Sequence, residues 1–147
     1  MVSTTVATAL ETVSKRNSAL AAIYTDAARS ILSRSVSKLA LSVADQRREL
    51  GKALVELAGV EGAGLANAEV EQIPLDQSPT WAGGEICDFL QFMVKAESAE
   101  YELLSSLAGA FVVFSADGAE RLASLSEQAR KRATWAQDHL DLLGICP

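Results

Sequence analysis

An apolar stripe in the second half of the chain restricts the fold more than any other feature. Between Ile86 and Phe114 the stripe residues recur in alternating steps of four and three, which is the spacing of one face of an α-helix. Glu97 stands on this face where an apolar residue is expected. A buried carboxylate without a partner is costly, so the spacing predicts that another side chain meets Glu97. The stripe consists of Ile86, Leu90, Met93, Glu97, Glu100, Leu104, Leu107, Phe111 and Phe114.

The composition favours helices throughout. The chain has 147 residues, the size of one domain, so we expect residues 1–147 to form a single unit with a sizeable core. Aromatic residues make up 5% of the sequence, and its 3 prolines are Pro74, Pro79 and Pro147. Few aromatic residues and abundant Ala and Leu favour helix over strand. We therefore expect an all-α protein.

Similar stripes predict four helices, over about 4–33, 36–58, 79–110 and 117–143. Asn17 interrupts the stripe of the first helix and Arg47 that of the second. The serine-rich run 33–37 predicts a tight turn between them, although one uninterrupted helix is the alternative. Glycines after residue 58 end the second helix, and 59–78 is predicted to be a long crossover loop.

Charge and hydropathy exclude several functional classes. The net charge of -6, without a basic patch, disfavours non-specific binding to nucleic acid or anionic membranes. The N-terminus lacks the basic and continuously apolar regions of a signal peptide. The most apolar run, 107–114, is too short to span a bilayer. We expect a cytoplasmic protein that binds neither nucleic acid nor membrane.

Two cysteines, Cys87 and Cys146, stand far apart in the sequence, and His139 is the single histidine. This spacing does not form a zinc site. If the third and fourth helices are antiparallel, the two cysteines lie at the same level of the bundle. They would be thiols in a reducing cytosol, and a disulfide could form on oxidation.

The two halves of the chain resemble each other. The run 17–19 corresponds to 97–99, and 43–48 corresponds to 125–130. Two hairpins joined by a long crossover resemble the ferritin-like superfamily, and most closely its rubrerythrin-type members. The resemblance implies a four-helix bundle of two antiparallel hairpins. It also implies six Glu and His ligands that hold two metal ions at mid-bundle.

Transferred by position, these ligands fall on Asn17, Arg47, Leu50, Glu97, Ala129 and Arg132. Only Glu97 matches the family pattern. One carboxylate beside arginines cannot hold a di-metal centre, because the cations compete for its charge. The resemblance therefore implies a metal site that has been lost, with no cofactor.

A replacement for the metals follows from the same positions. The hypothesis is that Arg47, Arg132 or both reach Glu97, forming a buried polar cluster that includes Asn17. The alternative for Arg132 is that its apolar stem carries the guanidinium to the surface.

These interpretations favour a non-enzymatic bundle that acts as a structural or protein-interaction module. The apolar run 111–114 near a turn suggests a homodimer, whereas the sequence does not indicate which other protein could bind. One alternative is a di-iron oxidoreductase or iron-handling protein of the same family with displaced ligands. A second is a binder of small apolar ligands in the emptied core, beside Leu50 and the small residues Ala129, Ala133 and Ala136.

Overall fold

Four helices make up most of the described chain. The computed structural model describes residues 3–31, 33–60, 70–71 and 85–144. The predicted all-α class with four helices is confirmed for these residues. The helices are α1 (Val6–Ser30), α2 (Arg34–Ala58), α3 (Ile86–Phe111) and α4 (Ala116–Leu143).

Two short strands accompany the helices and were not predicted. Strand β1 (Ser3–Thr4) pairs antiparallel with strand β2 (Val70–Glu71), which lies within the predicted crossover. The prediction of a loop throughout 59–78 is therefore wrong at Val70–Glu71, while 61–69 and 72–78 lie outside the described residues. Valine and threonine favour extended backbone, but only the tertiary structure brings the two segments together.

The first two helices are separate, so the alternative of one uninterrupted helix is wrong. Helix α1 ends at Ser30 because Ile31 has an extended backbone, with φ -86° and ψ 127°. Ser33 is the N-cap of α2, and its hydroxyl accepts a hydrogen bond from the backbone N–H of Val36 at 3.5 Å. A capping serine satisfies a helix donor that would otherwise have no partner, which places the turn at this point.

The other helix ends differ from the prediction by small amounts. Helix α4 begins at Ala116 instead of residue 117, and Ser115 caps it by accepting a hydrogen bond from Gly118 N–H at 3.0 Å. Helix α3 ends at Phe111 instead of residue 110, and in the described chain it begins at Ile86 after the N-cap residue Glu85. Its predicted start at residue 79 lies outside the described residues.

Side-chain hydrogen bonds define how successive helices pack. Between α1 and α2, Ser14 Oγ donates to Gly51 O at 2.9 Å, and Ser37 Oγ donates to Ala28 O at 2.6 Å. Between α3 and α4, Ser126 Oγ donates to Tyr101 O at 3.0 Å. Each helix therefore packs along its sequence neighbour, with the contacts of α1 and α2 running in opposite sequence order.

The apolar core is divided into two clusters. One contains Leu20, Tyr24, Ala44, Phe89 and Met93 among others, and the second contains Leu10, Val13, Leu54, Leu104 and Leu122 among others. On each of α1, α2 and α3, polar residues separate the part that enters one cluster from the part that enters the other. A polar layer therefore crosses the middle of the bundle. No described helix combines the length and the apolar character needed to cross a membrane.

Candidate functional site: a buried ion network

The polar layer is built from side chains of all four helices. Asn17 comes from α1, Arg47 from α2, and Glu97 and Glu100 from α3, and each of them is 0% exposed. Arg132 of α4 completes the layer with a side chain that is 10% exposed. Charged side chains are seldom buried this completely unless they are paired. The layer is therefore the strongest candidate for a functional or structural site.

Glu97 is the centre of the network and receives three donors. Arg47 Nη2 forms a buried ion pair with Glu97 Oε2, and Arg132 Nε forms a second ion pair with Glu97 Oε1. The hydroxyl of Tyr24 also donates to Oε2, at 3.1 Å. Both carboxylate oxygens are thus engaged by protein groups, and the two arginines reach Glu97 from α2 and α4.

Glu100 lies one helical turn beyond Glu97 and shares the same arginine. Its Oε2 is 2.9 Å from Arg47 Nη1 as an ion pair, although the two groups are not aligned as a hydrogen bond. Its Oε1 accepts a hydrogen bond from Asn17 Nδ2 at 2.7 Å. The Asn17 Oδ1 in turn accepts from Arg47 Nη1 at 2.7 Å. Arg47 therefore bridges the two carboxylates, and Asn17 orients both partners.

The charges in the network stabilise one another. Burial alone raises the pKa of Glu97. The guanidinium groups of Arg47 and Arg132 together lower it by more than burial raises it, so the net pKa is below its usual value. Burial lowers the pKa of Arg47, and the charges of Glu97 and Glu100 more than reverse this. The pKa of the Tyr24 hydroxyl is raised, chiefly by burial and then by the negative charge of Glu97. All three groups therefore hold their ordinary protonation states at neutral pH.

The structure brings together the four residues of the predicted polar cluster, namely Asn17, Arg47, Glu97 and Arg132. Arg132 combines the two alternatives considered for it. Its Nε binds Glu97, while its Nη1 donates to Gln46 Oε1 at 2.9 Å toward the protein surface. The side chain thus links the buried carboxylate to the space between α2 and α4.

Sequence reasoning did not assign Glu100 and Tyr24 to this cluster. The signal for Glu100 was available, because it occupies the stripe position that follows Glu97. A tyrosine on a helical stripe is more often a core residue with a satisfied hydroxyl. The identity of its acceptor depends on the distance between α1 and α3, which the sequence does not provide.

The six positions transferred from the ferritin-like pattern do not fit a di-metal centre. Glu97, the one carboxylate among them, already binds two guanidinium groups, while Leu50 and Ala129 are buried apolar residues. Metal ions would have to displace both arginines from Glu97. The other five positions carry neither a carboxylate nor an imidazole, which are the ligands that a di-iron centre of this type requires. Among the described residues, no group of three or more His, Cys, Asp or Glu side chains is arranged to hold a metal ion.

A cleft of about 420 Å³ lies between α2 and α4, next to the network. Leu50, Ala53 and Leu125 provide its apolar part, while polar and charged side chains provide the rest. The small residues Ala129, Ala133 and Ala136, which were predicted to leave room beside Leu50, do not line it. The polar lining consists of Ser42, Asp45, Gln46, Glu49, Arg121 and Gln128.

The remaining predicted residues have mixed outcomes. Cys87 is disulfide-bonded, whereas Cys146 lies outside the described residues, so the pairing of these two cysteines stays a prediction. In the apolar run 111–114, Phe111 belongs to the core, and its ring packs edge-on against Phe114 at 6.0 Å. The exposed part of this run is the pair Val112 and Val113, which are 59% and 78% exposed.

Comparisons of the chain with protein-family models, with curated proteins and with solved structures found no match.

Proposed function

We propose that this protein is a non-enzymatic bundle of the ferritin-like type, made of two antiparallel hairpins, that has lost its di-metal centre. It would serve as a structural or protein-interaction module in the cytoplasm. The observation that carries the proposal is the double ion pair of Glu97 with Arg47 and Arg132. These guanidinium groups lie at the level where the resemblance implies metal ions, and they neutralise the carboxylate in place of the metals.

The order of contacts supports the hairpin arrangement. Along α1, the residues Ser14 and Ala28 contact Gly51 and Ser37 of α2, so one helix rises in sequence as its neighbour falls. Between the hairpins, Arg121 pairs with Glu56 at 3.0 Å, and Arg132 donates to Gln46. The contacts of α2 with α4 therefore also run in opposite order, as they do in an up-down-down-up bundle with one long crossover.

Metal content is the measurement that tests this proposal. The protein is loaded with ferrous iron under anaerobic conditions, separated by gel filtration and analysed for iron. The expected result is no iron above the buffer background. About two irons per chain would overturn the proposal and favour a di-iron oxidoreductase or iron-handling protein with displaced ligands.

A matched gain-of-ligand variant shows whether the ferritin-like register is correct. The variant carries Asn17→Glu, Arg47→Glu, Leu50→His, Ala129→Glu and Arg132→His, so that together with Glu97 it has the full ligand set. We expect it to bind about two irons per chain. A folded variant that binds none would contradict the register. If the fivefold variant does not fold without metal, folding on addition of ferrous iron, followed by circular dichroism, is the equivalent readout.

The proposed homodimer would use the exposed pair Val112 and Val113 at the turn between α3 and α4. Exposed neighbouring apolar side chains are typical of contact surfaces. Light scattering should give twice the chain mass at micromolar concentration, and Val113→Asp should reduce it to one chain mass. Leu142, which is 81% exposed near the end of α4, is the control, because Leu142→Asp should not change the mass. A monomer at all concentrations would exclude the homodimer.

The cleft between α2 and α4 favours a second candidate function, the binding of a small molecule with a short apolar part. Leu50, Ala53 and Leu125 would contact that part, and the polar lining would orient its other end. Leu125→Trp should fill the cleft and abolish the binding of small fragments detected by NMR. Fragments that bind this variant as well as the unaltered protein would place the binding elsewhere.

A further inference from the structure

Cys87 carries a covalent bond that is separate from the ion network. It lies in the first turn of α3, is half-buried and is disulfide-bonded. The sequence contains one other cysteine, Cys146, so a bond within the chain can only join these two residues. Cys146 is the second residue after Gly144, the C-cap of α4. The disulfide therefore concerns the start of α3 and the chain that follows α4.

The contacts between α3 and α4 define the level at which Cys87 lies. Near the turn, the ring of Phe111 lies directly against Gly118. Fourteen residues earlier on α3, Glu97 pairs with Arg132, which stands fourteen residues later on α4. The contacts thus run in opposite sequence order, residue for residue, because both helices have the same rise per residue. Ten residues before Glu97, the same register places Cys87 level with the last turn of α4.

The distance from the end of α4 to Cys87 fits a disulfide with Cys146. Helix α4 stops at Gly144, whose φ of 62° lies in the left-handed region and turns the chain away from the helix. The axes of packed helices are about 8 to 10 Å apart. Two extended residues span about 7 Å, and the Cα atoms of a disulfide lie about 5.5 to 6 Å apart. Together these lengths are sufficient for Cys146 to reach Cys87.

We propose that Cys87 and Cys146 form a redox clasp, a reversible disulfide that fixes the end of α4 to the start of α3. It closes by exchange with a small disulfide such as oxidised glutathione. The thiolate of one cysteine attacks the small disulfide and releases one thiol, and the thiolate of the other cysteine then attacks the mixed disulfide and releases the second thiol. The protein loses two electrons and two protons, which the small disulfide gains. Reduced glutathione opens the clasp by the reverse steps.

The clasp acts at the end of α3 and α4 that has no connecting turn. Residues 112–115 join the two helices at the other end, whereas the disulfide closes a loop of about 60 residues between Cys87 and Cys146. Closing a loop of this length restricts the unfolded chain and so stabilises the fold. It also holds the last turn of α4 in place, since helix ends are otherwise among the first parts of a protein to open.

The position of Cys87 allows the clasp to open while the bundle stays folded. Because Cys87 is half-buried, it lies at the margin of the core, within reach of a small thiol. Disulfides in a reducing cytoplasm are rare and usually transient. The cycling of the clasp in the cell therefore rests on the proposed cytoplasmic location, whereas its formation in the purified protein does not.

Peptide mapping tests the pairing of the two cysteines. The protein is equilibrated with oxidised glutathione, digested without reductant and analysed by mass spectrometry. We expect a disulfide-linked pair of peptides that contain Cys87 and Cys146, and a single chain mass on a non-reducing denaturing gel. Two free thiols, stable glutathione adducts or a disulfide-linked dimer would overturn the proposal.

A count of free thiols tests whether the clasp is reversible. The oxidised protein is transferred to glutathione at the reduced-to-oxidised ratio of a reducing cytosol, and thiols are counted under native conditions. We expect two thiols per chain, and none again after oxidised glutathione is restored. A bond that stays closed in this buffer and opens only in dithiothreitol would be a permanent disulfide and would contradict the clasp.

Stability measurements test the effect of the clasp on the fold. Opening it should lower Tm by about 10 °C for a chain of this size. Cys146→Ser is the matched variant, and its Tm should equal that of the reduced protein in both oxidising and reducing buffer. Amide hydrogen exchange should become faster in the last turn of α4 on reduction and stay unchanged in its first turn, next to Ser115.

Equal Tm values and equal exchange in the open and closed states would overturn the effect proposed for the clasp. The unaltered protein alone gives this comparison, so the test does not depend on how the variant folds. All of these measurements use purified protein without iron. Their failure is therefore distinguishable from a failure of the proposed loss of the metal centre, which the iron content tests.

Discussion

Replacing Arg47 with Met should destabilise the fold more than any other single change in the network. Without Arg47, Glu97 keeps Arg132 and Tyr24, but Glu100 keeps only the amide of Asn17. Removing one partner of a buried ion pair costs about 3 to 5 kcal/mol. The side-chain oxygen of Asn17 would also lose its donor, at a cost of about 1 to 3 kcal/mol. The two costs overlap, so we expect a loss of about 4 kcal/mol.

Urea unfolding followed by circular dichroism measures this loss directly. A loss of about 4 kcal/mol corresponds to a decrease in Tm of about 13 °C for a chain of 147 residues. Arg48→Met is the matched control, since Arg48 is the next residue, has a side chain that is 48% exposed and pairs with the exposed Asp45. Its loss should cost about 0 to 1 kcal/mol. A cost below about 1 kcal/mol for Arg47→Met would refute the reasoning.

A double-mutant cycle identifies the cause of the effect. If Arg47 and Glu97 stabilise the fold through their ion pair, the loss in the double variant Arg47→Met with Glu97→Met should be smaller than the sum of the single losses by about 2 kcal/mol. Additive losses, within about 0.5 kcal/mol, would show that the two residues act separately.

The remaining predictions concern pH, a hydrogen bond and a helix contact. The folded-state pKa of Glu97 is lowered, so its charge stabilises the fold at pH values above its unfolded pKa of about 4.3. This contribution is lost as the pH falls from that value through the folded-state pKa. The decline in unfolding free energy between about pH 4.5 and 3 should therefore be shallower in Glu97→Gln. Tyr24→Phe removes the donor to Glu97 and should cost about 2 kcal/mol in urea unfolding, whereas no loss would show that the bond contributes nothing. Gly118→Ala should cost about 1 to 3 kcal/mol, because its Cβ would lie 2.6 Å from Cδ1 of the buried Phe111 ring. Its control Gly109→Ala, where nothing lies within 4 Å, should instead raise Tm by a few degrees.

Much of the fold followed from periodicity. The spacing of apolar residues predicted four helices, and the described helices begin and end within a few residues of the predicted positions where both can be compared. The errors arose at helix ends, where capping by Ser33 and Ser115 decides the boundary. Several serines and an aspartate compete for these caps, and local sequence alone does not choose among them.

The polar layer was visible in part. Asn17, Arg47 and Glu97 interrupt apolar stripes, so the sequence placed them on inward faces, and each is fully buried. Arg16 was not considered, although it stands three residues after Val13 and four before Leu20 on α1. An arginine at such a position usually extends to the surface, and its burial became evident only from the packed helices.

The sequence by itself determined which helices form and which of their faces turn inward, because the period of 3.6 residues is a local property of the chain. It also determined that a carboxylate would be buried in α3 and would need a cation. Only the tertiary structure decided that Arg47 and Arg132 supply the cations. Such pairing depends on the distances and axial offsets between helices from different parts of the chain, which no local pattern encodes.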